Sequence, residues 1–201
     1  MDIRSSTIIV CTVLAIVICF PSFVLSVPFD IYGGDCDLAI VDKPGPGCEM
    51  TEAVIDVPDN FTVYDIDVRI NITHTNVFDL QLFLQSPSGT RICLNYFDSL
   101  SEYDIYPNYT NTIFDDEAMV SIEDGAAPFS GRFRPRGPGQ LKDFDGQDTF
   151  GLWRLQIYDM FDWDYGTLDS FELLVTIPEP ATILLLTLGA GLIGVFRHRR
   201  R

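Results

Sequence analysis

The chain has 201 residues, 47% of them hydrophobic, and a formal net charge of −16 at pH 7. A chain of this length suits one compact domain with a sizeable core. Its acidic excess repels phosphate backbones, which excludes nucleic acid binding and favours divalent cations or basic partners.

The N-terminus has the organisation of a secretory signal peptide, residues 1–26. Arg4 precedes an apolar run from Thr7 to Phe20, and Val24-Leu25-Ser26 offers the small or aliphatic residues that a signal peptidase cleaves after. A retained N-terminal anchor is the alternative, and Pro21 argues against it. The sequence therefore predicts an exported protein.

Residues 27–49 form an N-terminal segment that contains two of the five cysteines. Cys36 and Cys48 flank a Pro- and Gly-rich stretch, residues 43–47. A disulfide between them would suit an oxidising compartment, and closing this short loop would stabilise the segment by about 2–3 kcal/mol. Cys93 is then left over, and we expect it to be a buried, small apolar side chain.

Alternating hydrophobicity predicts several β-strands after residue 60. The clearest run is Phe61 to Thr73, followed by a hairpin of Leu80–Gln85 and Arg91–Tyr96 around the turn at residues 86–90. The inward face of the first run is predicted to comprise Tyr64, Ile66, Val68, Ile70 and Ile72.

Two further strands complete the predicted domain, residues 50–177. Trp153, Leu155 and Ile157 alternate with polar residues, and a last strand runs from Leu168 to Ile177. No helical period of useful length precedes the tail, and residues 103–148 are rich in loops. Short strands separated by turns predict an all-β fold, a jelly-roll-like β-sandwich.

The C-terminal tail, residues 178–201, has three parts in order. They are Pro178-Glu179-Pro180, an apolar run from Ala181 to Phe196, and a basic end with Arg197, Arg199, Arg200 and Arg201. The run is shorter than the roughly 20 residues of a typical transmembrane helix, but the arginine stems extend its reach. It predicts a membrane helix with its basic end in the cytoplasm and the preceding domain outside.

This tail resembles the PEP-CTERM sorting signal of Gram-negative bacteria. The resemblance implies recognition and cleavage by an exosortase-type processing enzyme, and a location in the cell envelope membrane or on the extracellular surface. An ordinary C-terminal anchor is the alternative.

Seven blocks of residues between positions 50 and 177 resemble the P domain, or Homo B domain, of proprotein convertases. They are Ile72–Thr75, Asp79-Leu80 with Leu82 and Leu84, Ser86–Thr90, Asn111–Ala118, Pro128–Gly131, Gly151–Leu155 with Asp159, and Gly166–Leu168. The resemblance implies a β-sandwich that accompanies subtilisin-like serine endopeptidases without carrying their catalytic triad. We therefore predict no enzymatic activity and a structural role for His74.

Two acidic clusters are candidate calcium sites, because Ca²⁺ prefers carboxylate and carbonyl oxygens. One is Asp115-Asp116-Glu117 and the other combines Asp159 with Asp162 and Asp164. The resemblance favours Asp115, Asp116 and Asp159 as ligands, and solvated acidic loops are the alternative.

One basic stretch, Arg132, Arg134 and Arg136, could bind an acidic glycan or pair with neighbouring carboxylates; we expect the pairing. The sequence thus predicts a non-catalytic exported module for cell-surface or extracellular-matrix interaction, with surface polysaccharide as one partner. The alternative is an accessory domain that stabilises a separate subtilisin-like protease.

Overall fold

The structure is a computed structural model that describes residues 29–42, 49–96 and 106–177. These residues form nine β-strands and three short 3₁₀ turns. The strands are β1 (Phe29–Ala39), β2 (Met50–Val57), β3 (Asp65–His74), β4 (Leu80–Gln85), β5 (Arg91–Asn95), β6 (Tyr109–Phe114), β7 (Gly131–Phe133), β8 (Gly151–Asp159) and β9 (Gly166–Thr176). The 3₁₀ turns are Val77–Asp79, Ile122–Asp124 and Leu141–Phe144.

The strands lie in two sheets that pack face to face. The five-stranded sheet has the order β1-β9-β3-β6-β7, and the four-stranded sheet has the order β2-β8-β4-β5. Neighbouring strands are antiparallel, apart from β6 and β7, which are parallel. The predicted all-β sandwich is confirmed.

The core lies between the inner faces of the two sheets, where alternate side chains of each strand are buried. Trp153 on β8 is fully buried; its Nε1 donates a hydrogen bond to the Thr149 carbonyl oxygen at 2.9 Å. Its ring meets the Phe144 ring edge to face at 5.2 Å. Because the ring is packed and the N–H is hydrogen-bonded, the Trp153 side chain is held in one position in the core between the two sheets.

The predicted inward face of β3 is correct at every position but one. Ile66, Val68, Ile70 and Ile72 are buried, whereas Tyr64 is 65% exposed. Tyr64 lies in a bend just before β3, so it does not continue the alternation of the strand.

Two strands precede the first strand that the sequence predicted. β1 pairs with β9 from Phe29↔Thr176 to Ala39↔Thr167, and β2 pairs with β8. The five-stranded sheet therefore includes residues of the N-terminal segment before position 50.

The cysteines differ in surroundings. Cys36 is half-buried on β1, but Cys48 lies outside the described residues, so the disulfide between them stays a prediction. Cys93 on β5 is buried, as expected, and its Sγ lies 3.7 Å from the Arg136 carbonyl oxygen. Burial raises the pKa of the Cys93 thiol to about 11, so at neutral pH it is a small apolar group.

The signal peptide and the sorting signal fall outside the described residues, and so does the predicted C-terminal helix. Within the part of the chain that is described, no helix has the length and apolar character needed to cross a membrane.

Candidate functional site

Strand β3 carries a cluster of ionisable side chains at each end. Asp65 and Asp67 lie at its start, and His74 is its last residue. At about 3.3 Å per residue, these ends are about 30 Å apart. Asp115 and Asp116 belong to the first cluster and Asp159 to the second. The structure therefore does not bring the three predicted calcium ligands together.

The first cluster surrounds a cavity of about 820 Å³, here called the acidic cavity. It forms where β6 ends beside the start of β3 and where the loop after residue 141 closes over both. Six carboxylates and two cations line it: Asp65, Asp67, Asp115, Asp116, Glu117 and Asp145, with Arg132 and Lys142. The charge of the cavity is therefore strongly negative.

Arg132 lies between two of these carboxylates. Its guanidinium donates to Asp67 Oδ2 and to Asp115 Oδ2, both at 2.6 Å. The pairing exists because β7, which carries Arg132, lies parallel to β6, and β6 pairs in turn with β3. A charge-assisted bridge of this kind holds three strands of one sheet at their common end.

The two cations do not fully compensate the carboxylates of the acidic cavity, and this includes one carboxylate that Arg132 contacts. Burial raises the pKa of Asp67 to about 6, against the opposing effect of Arg132. Burial and neighbouring carboxylates also raise the pKa values of Asp65, Glu117 and Asp145. Carboxyl groups with raised pKa values gain from any added cation, because a cation favours their charged form.

The geometry of the acidic cavity is not that of a preformed metal cage. Asp115 Oδ1 accepts from the Glu117 N–H at 2.7 Å, and Asp116 Oδ2 accepts from the Lys142 N–H at 3.0 Å. Across the described residues, no three His, Cys, Asp or Glu side chains converge as metal ligands. The donor set fits a cation by its charge and chemistry, while Arg132 already holds part of it.

The other two arginines of the basic stretch also contact protein groups. Arg134 donates to the Ala118 carbonyl oxygen at 2.6 Å, and the Arg136 guanidinium lies 3.6 Å from Glu123. The expected pairing with neighbouring carboxylates is therefore confirmed for Arg132 and Arg136, whereas Arg134 contacts a backbone carbonyl oxygen instead.

The second cluster centres on a buried pair. His74 Nε2 lies 3.1 Å from Asp159 Oδ2, and both side chains are 0% exposed. His74 Nδ1 lies 2.9 Å from the Asn76 carbonyl oxygen. Both ring nitrogens are therefore engaged within the protein, in agreement with the structural role expected of His74.

Two further carboxylates stand beside this pair. Asp79 is 7% exposed, and Asp164 accepts a hydrogen bond from Thr75 Oγ1 at 2.5 Å. Burial, the hydrogen bond with Asp164 and the charges of Asp164 and Asp159 together raise the pKa of Asp79 to about 7, against the opposing effect of His74. Ionisation of Asp79 near neutral pH therefore lowers the stability of the folded state.

This carboxyl group predicts a pH dependence of stability. Because the pKa of Asp79 is higher in the folded than in the unfolded chain, the folded state binds more protons between about pH 4 and 7, and its stability falls as pH rises through that window. Asp79→Asn carries an N–H that replaces the acid proton toward Asp164. We expect the variant to be more stable than the parent at pH 8, by about 1–2 kcal/mol, and equal to it near pH 4.

Urea unfolding at several pH values measures this effect. Asp169→Asn is the control: Asp169 accepts a hydrogen bond from Thr73 Oγ1 at 2.7 Å, the amide keeps an oxygen for this bond, and the pH dependence of stability should match that of the parent. If the free energy of unfolding of Asp79→Asn differed from that of the parent by the same amount at every pH, Asp79 would not be the source of the pH dependence.

Sequence reasoning missed several residues of both clusters. The alternation assigns Asp65 and Asp67 only to the polar face of a strand, and the resemblance places Asp79 only in a family block. Their roles depend on partners far along the chain, such as Arg132, which is 65 residues from Asp67. The available signal was the presence of two acidic residues, Asp65 and Asp67, at the start of a strand that is otherwise largely buried.

Comparisons with known proteins give two family matches. A model of the proprotein convertase P-domain matches residues 63–175, and a model of the PEP-CTERM protein-sorting motif matches residues 176–201. The curated proteins include no match to this sequence.

Among solved structures, the chain is similar to a serine protease of Aeromonas sobria, with 20% sequence identity and a TM-score of 0.45 over 74% of this chain. The complex of the Aeromonas sobria serine protease with its chaperone gives 20% identity and a TM-score of 0.46 over 76% of this chain. The matched part spans 26% of the structure it is compared with in each case, so this chain corresponds to about a quarter of that length.

Proposed function

This chain belongs to the proprotein convertase P-domain family, and we propose that it is an exported, non-catalytic module that acts through binding at the cell surface or in the extracellular matrix. The sorting motif that follows the domain indicates export, exosortase-type processing, and association with the membrane or cell envelope of a Gram-negative bacterium. The proposal includes the signal peptide of residues 1–26, a jelly-roll-like sandwich, and a membrane helix in residues 178–201.

One observation carries this proposal. The P-domain match ends at residue 175, β9 ends at Thr176, and the sorting-motif match begins at residue 176. The β-sandwich is therefore joined to the sorting signal without a linker, so whatever receives the signal also places the sandwich. This arrangement suits a binding module, because a β-sandwich held at a surface exposes its loops, and loops commonly carry binding residues.

Mass spectrometry of the protein from a Gram-negative host that contains an exosortase tests the proposal. We expect an envelope or extracellular protein that lacks residues 1–26 and has its tail processed after the Pro178-Glu179-Pro180 sequence. In a host without the exosortase, the tail should remain. Recovery of the full chain from the cytosol, with both ends intact, would overturn the proposal.

The second candidate function is an accessory domain that stabilises a subtilisin-like protease encoded separately. Membership of the P-domain family favours it. Co-purification with such a protease, together with a higher melting temperature of the protease in the complex, would support this candidate. Recovery with a surface polysaccharide but no protease would support the first.

We propose in addition that Ca²⁺ binds at the acidic cavity. The excess of carboxylates over cations and the raised pKa values support this, and Asp115 and Asp116 would be among the ligands. Asp159 is not among the proposed ligands, because its side chain is buried and its carboxylate contacts His74. Calcium would replace part of the role of Arg132 in neutralising the cavity.

The calcium proposal predicts a change in melting temperature. Millimolar Ca²⁺ should raise the melting temperature of the parent by several degrees over the value in a chelator, because a ligand that binds only the folded state stabilises it. Asp116→Asn should reduce the shift by at least half, whereas Asp162→Asn, at the other end of β3, should leave it unchanged. Equal melting temperatures with and without Ca²⁺ would contradict the site.

A further inference from the structure

The loop between β8 and β9, residues 160–165, displays three aromatic side chains to solvent. Phe161 is 43% exposed, Tyr165 is 72% exposed and Trp163 is 91% exposed. Single exposed apolar residues are ordinary on a protein surface, but three on one loop of six residues form a patch. Residues 160–165 are called the aromatic loop below.

The backbone of the aromatic loop is held in place. The Met160 N–H donates to the Asp79 carbonyl oxygen at 2.9 Å, and the Tyr165 N–H donates to Thr75 Oγ1 at 3.1 Å. Between them, the Trp163 N–H donates to Asp42 Oδ2 at 3.2 Å. The aromatic rings are therefore displayed by a fixed loop, which lowers the entropy that a partner loses on binding.

A cavity of about 710 Å³ opens beside the aromatic loop, here called the loop cavity. Ile40, Pro107 and Tyr165 give it apolar walls, while Asn108 and Asp164 supply polar groups. A concave site with apolar walls and a few placed polar groups is typical of ligand pockets. Its volume lies in the range of pockets that hold a whole small ligand, so it has room for a long side chain of a partner together with part of the neighbouring segment.

The charge around the loop cavity selects the partner. Residues 29–42 and 155–177, which contribute β1, the second half of β8, β9 and the aromatic loop, contain no Lys or Arg. Asp42, Asp162 and Asp164 lie on or beside the loop. Carboxylates and aromatic ring faces both attract cations, so the two features of the site favour the same kind of group.

Other partners fit less well. An anionic lipid surface would attract the aromatic side chains but is repelled by the carboxylates between them. A neutral glycan could stack on the rings and donate its hydroxyls to the carboxylates, but it brings no positive charge to compensate theirs. A basic peptide satisfies both the rings and the charges.

We propose that the aromatic loop and the loop cavity bind a basic polypeptide segment. An Arg or Lys side chain of the segment enters the loop cavity toward Asp164 and Tyr165, while Trp163 packs on the segment beside it. The inference rests on the proposed function, since it names the partner class of the exported module.

Fluorescence anisotropy with a labelled peptide of alternating Arg and Ser residues tests the proposal, with the full chain in detergent at about 0.15 M salt. We expect saturable binding that Trp163→Ala and Asp164→Asn each weaken about tenfold. Asp164→Asn keeps an oxygen for the hydrogen bond from Thr75 and should preserve the fold, which the melting temperature of the variant checks. Trp163→Phe should retain part of the affinity.

Asp116→Asn is the matched control, because it removes one carboxylate at the other end of β3 and should change the affinity less than twofold. The same peptide with citrulline in place of Arg, which is neutral, should not bind. Equal losses from Asp116→Asn and Asp164→Asn would show unspecific attraction between opposite charges and overturn the proposal. Binding of anionic vesicles or of a neutral polysaccharide in preference to the peptide would overturn it too.

This test is separate from that of the proposed function. Failure of the peptide to bind leaves the masses of the processed ends unchanged, and cytosolic recovery of the intact chain would leave the peptide affinity as measured.

Discussion

Replacement of Asp159 by alanine is expected to lower the free energy of unfolding by about 3–5 kcal/mol. The side chain is fully buried, and its removal leaves His74 Nε2 facing no acceptor in a space closed to water. It also removes the oxygen that accepts from the Phe161 N–H at 3.4 Å, at the start of the aromatic loop. We therefore expect Asp159→Ala to destabilise both the β-sandwich and the start of the aromatic loop.

Denaturant unfolding of the parent, Asp159→Ala, His74→Ala and the double variant measures this prediction. The double variant should lose less than the sum of the two single losses, since the unpaired partner is then absent as well. Asp162→Ala, exposed on the same loop, should stay within about 0.5 kcal/mol of the parent. A loss below about 1 kcal/mol for Asp159→Ala would show that the buried pair is not what holds this end of the sandwich.

Replacement of Trp153 by alanine is expected to cost a similar amount, about 3–5 kcal/mol. The ring fills the space between the two sheets and packs edge to face on Phe144. Its loss leaves a large cavity and an unpaired carbonyl oxygen at Thr149. The free energy of unfolding of a domain this size is about 5–15 kcal/mol, so the variant should be close to unfolded at physiological temperature.

The second tryptophan provides the control. Trp163 is 91% exposed, and Trp163→Ala should change the free energy of unfolding by less than about 0.5 kcal/mol. The same substitution is thus expected to be severe at one position and neutral for stability at the other. Equal losses at the two positions would contradict the assignment of Trp153 to the core.

The strands predicted from sequence share one property, regular alternation with strongly apolar residues on the buried side. β3 with its isoleucines and β8 with Trp153 are central strands, so burial dictates their inner faces. β1 was not predicted, because none of its residues from Phe29 to Ala39 is fully buried and it contains Gly33-Gly34. β6 was missed because Asn111, with φ of +49°, interrupts a strand of six residues.

The candidate sites were predicted less completely than the fold. The sequence pointed to Asp115 and Asp159 as acidic residues in family blocks, and both lie in clusters of charged groups. It did not show that Asp159 would pair with His74, 85 residues away, because that contact depends on which strands become neighbours. The sequence did not single out the aromatic loop, since exposure is set by the packing around a residue rather than by its type.

The position of β9 in the five-stranded sheet has a consequence for the order of events during export. β9 is the last strand of the described residues, yet it lies between β1 and β3 and pairs with both. Under the proposed export from the N-terminus, the earlier strands cannot close this sheet while the polypeptide is still crossing the membrane. Folding is completed only after residues 166–176 have been translocated. Because the sorting motif begins at residue 176, the domain stays incompletely folded until its sorting signal is about to follow it.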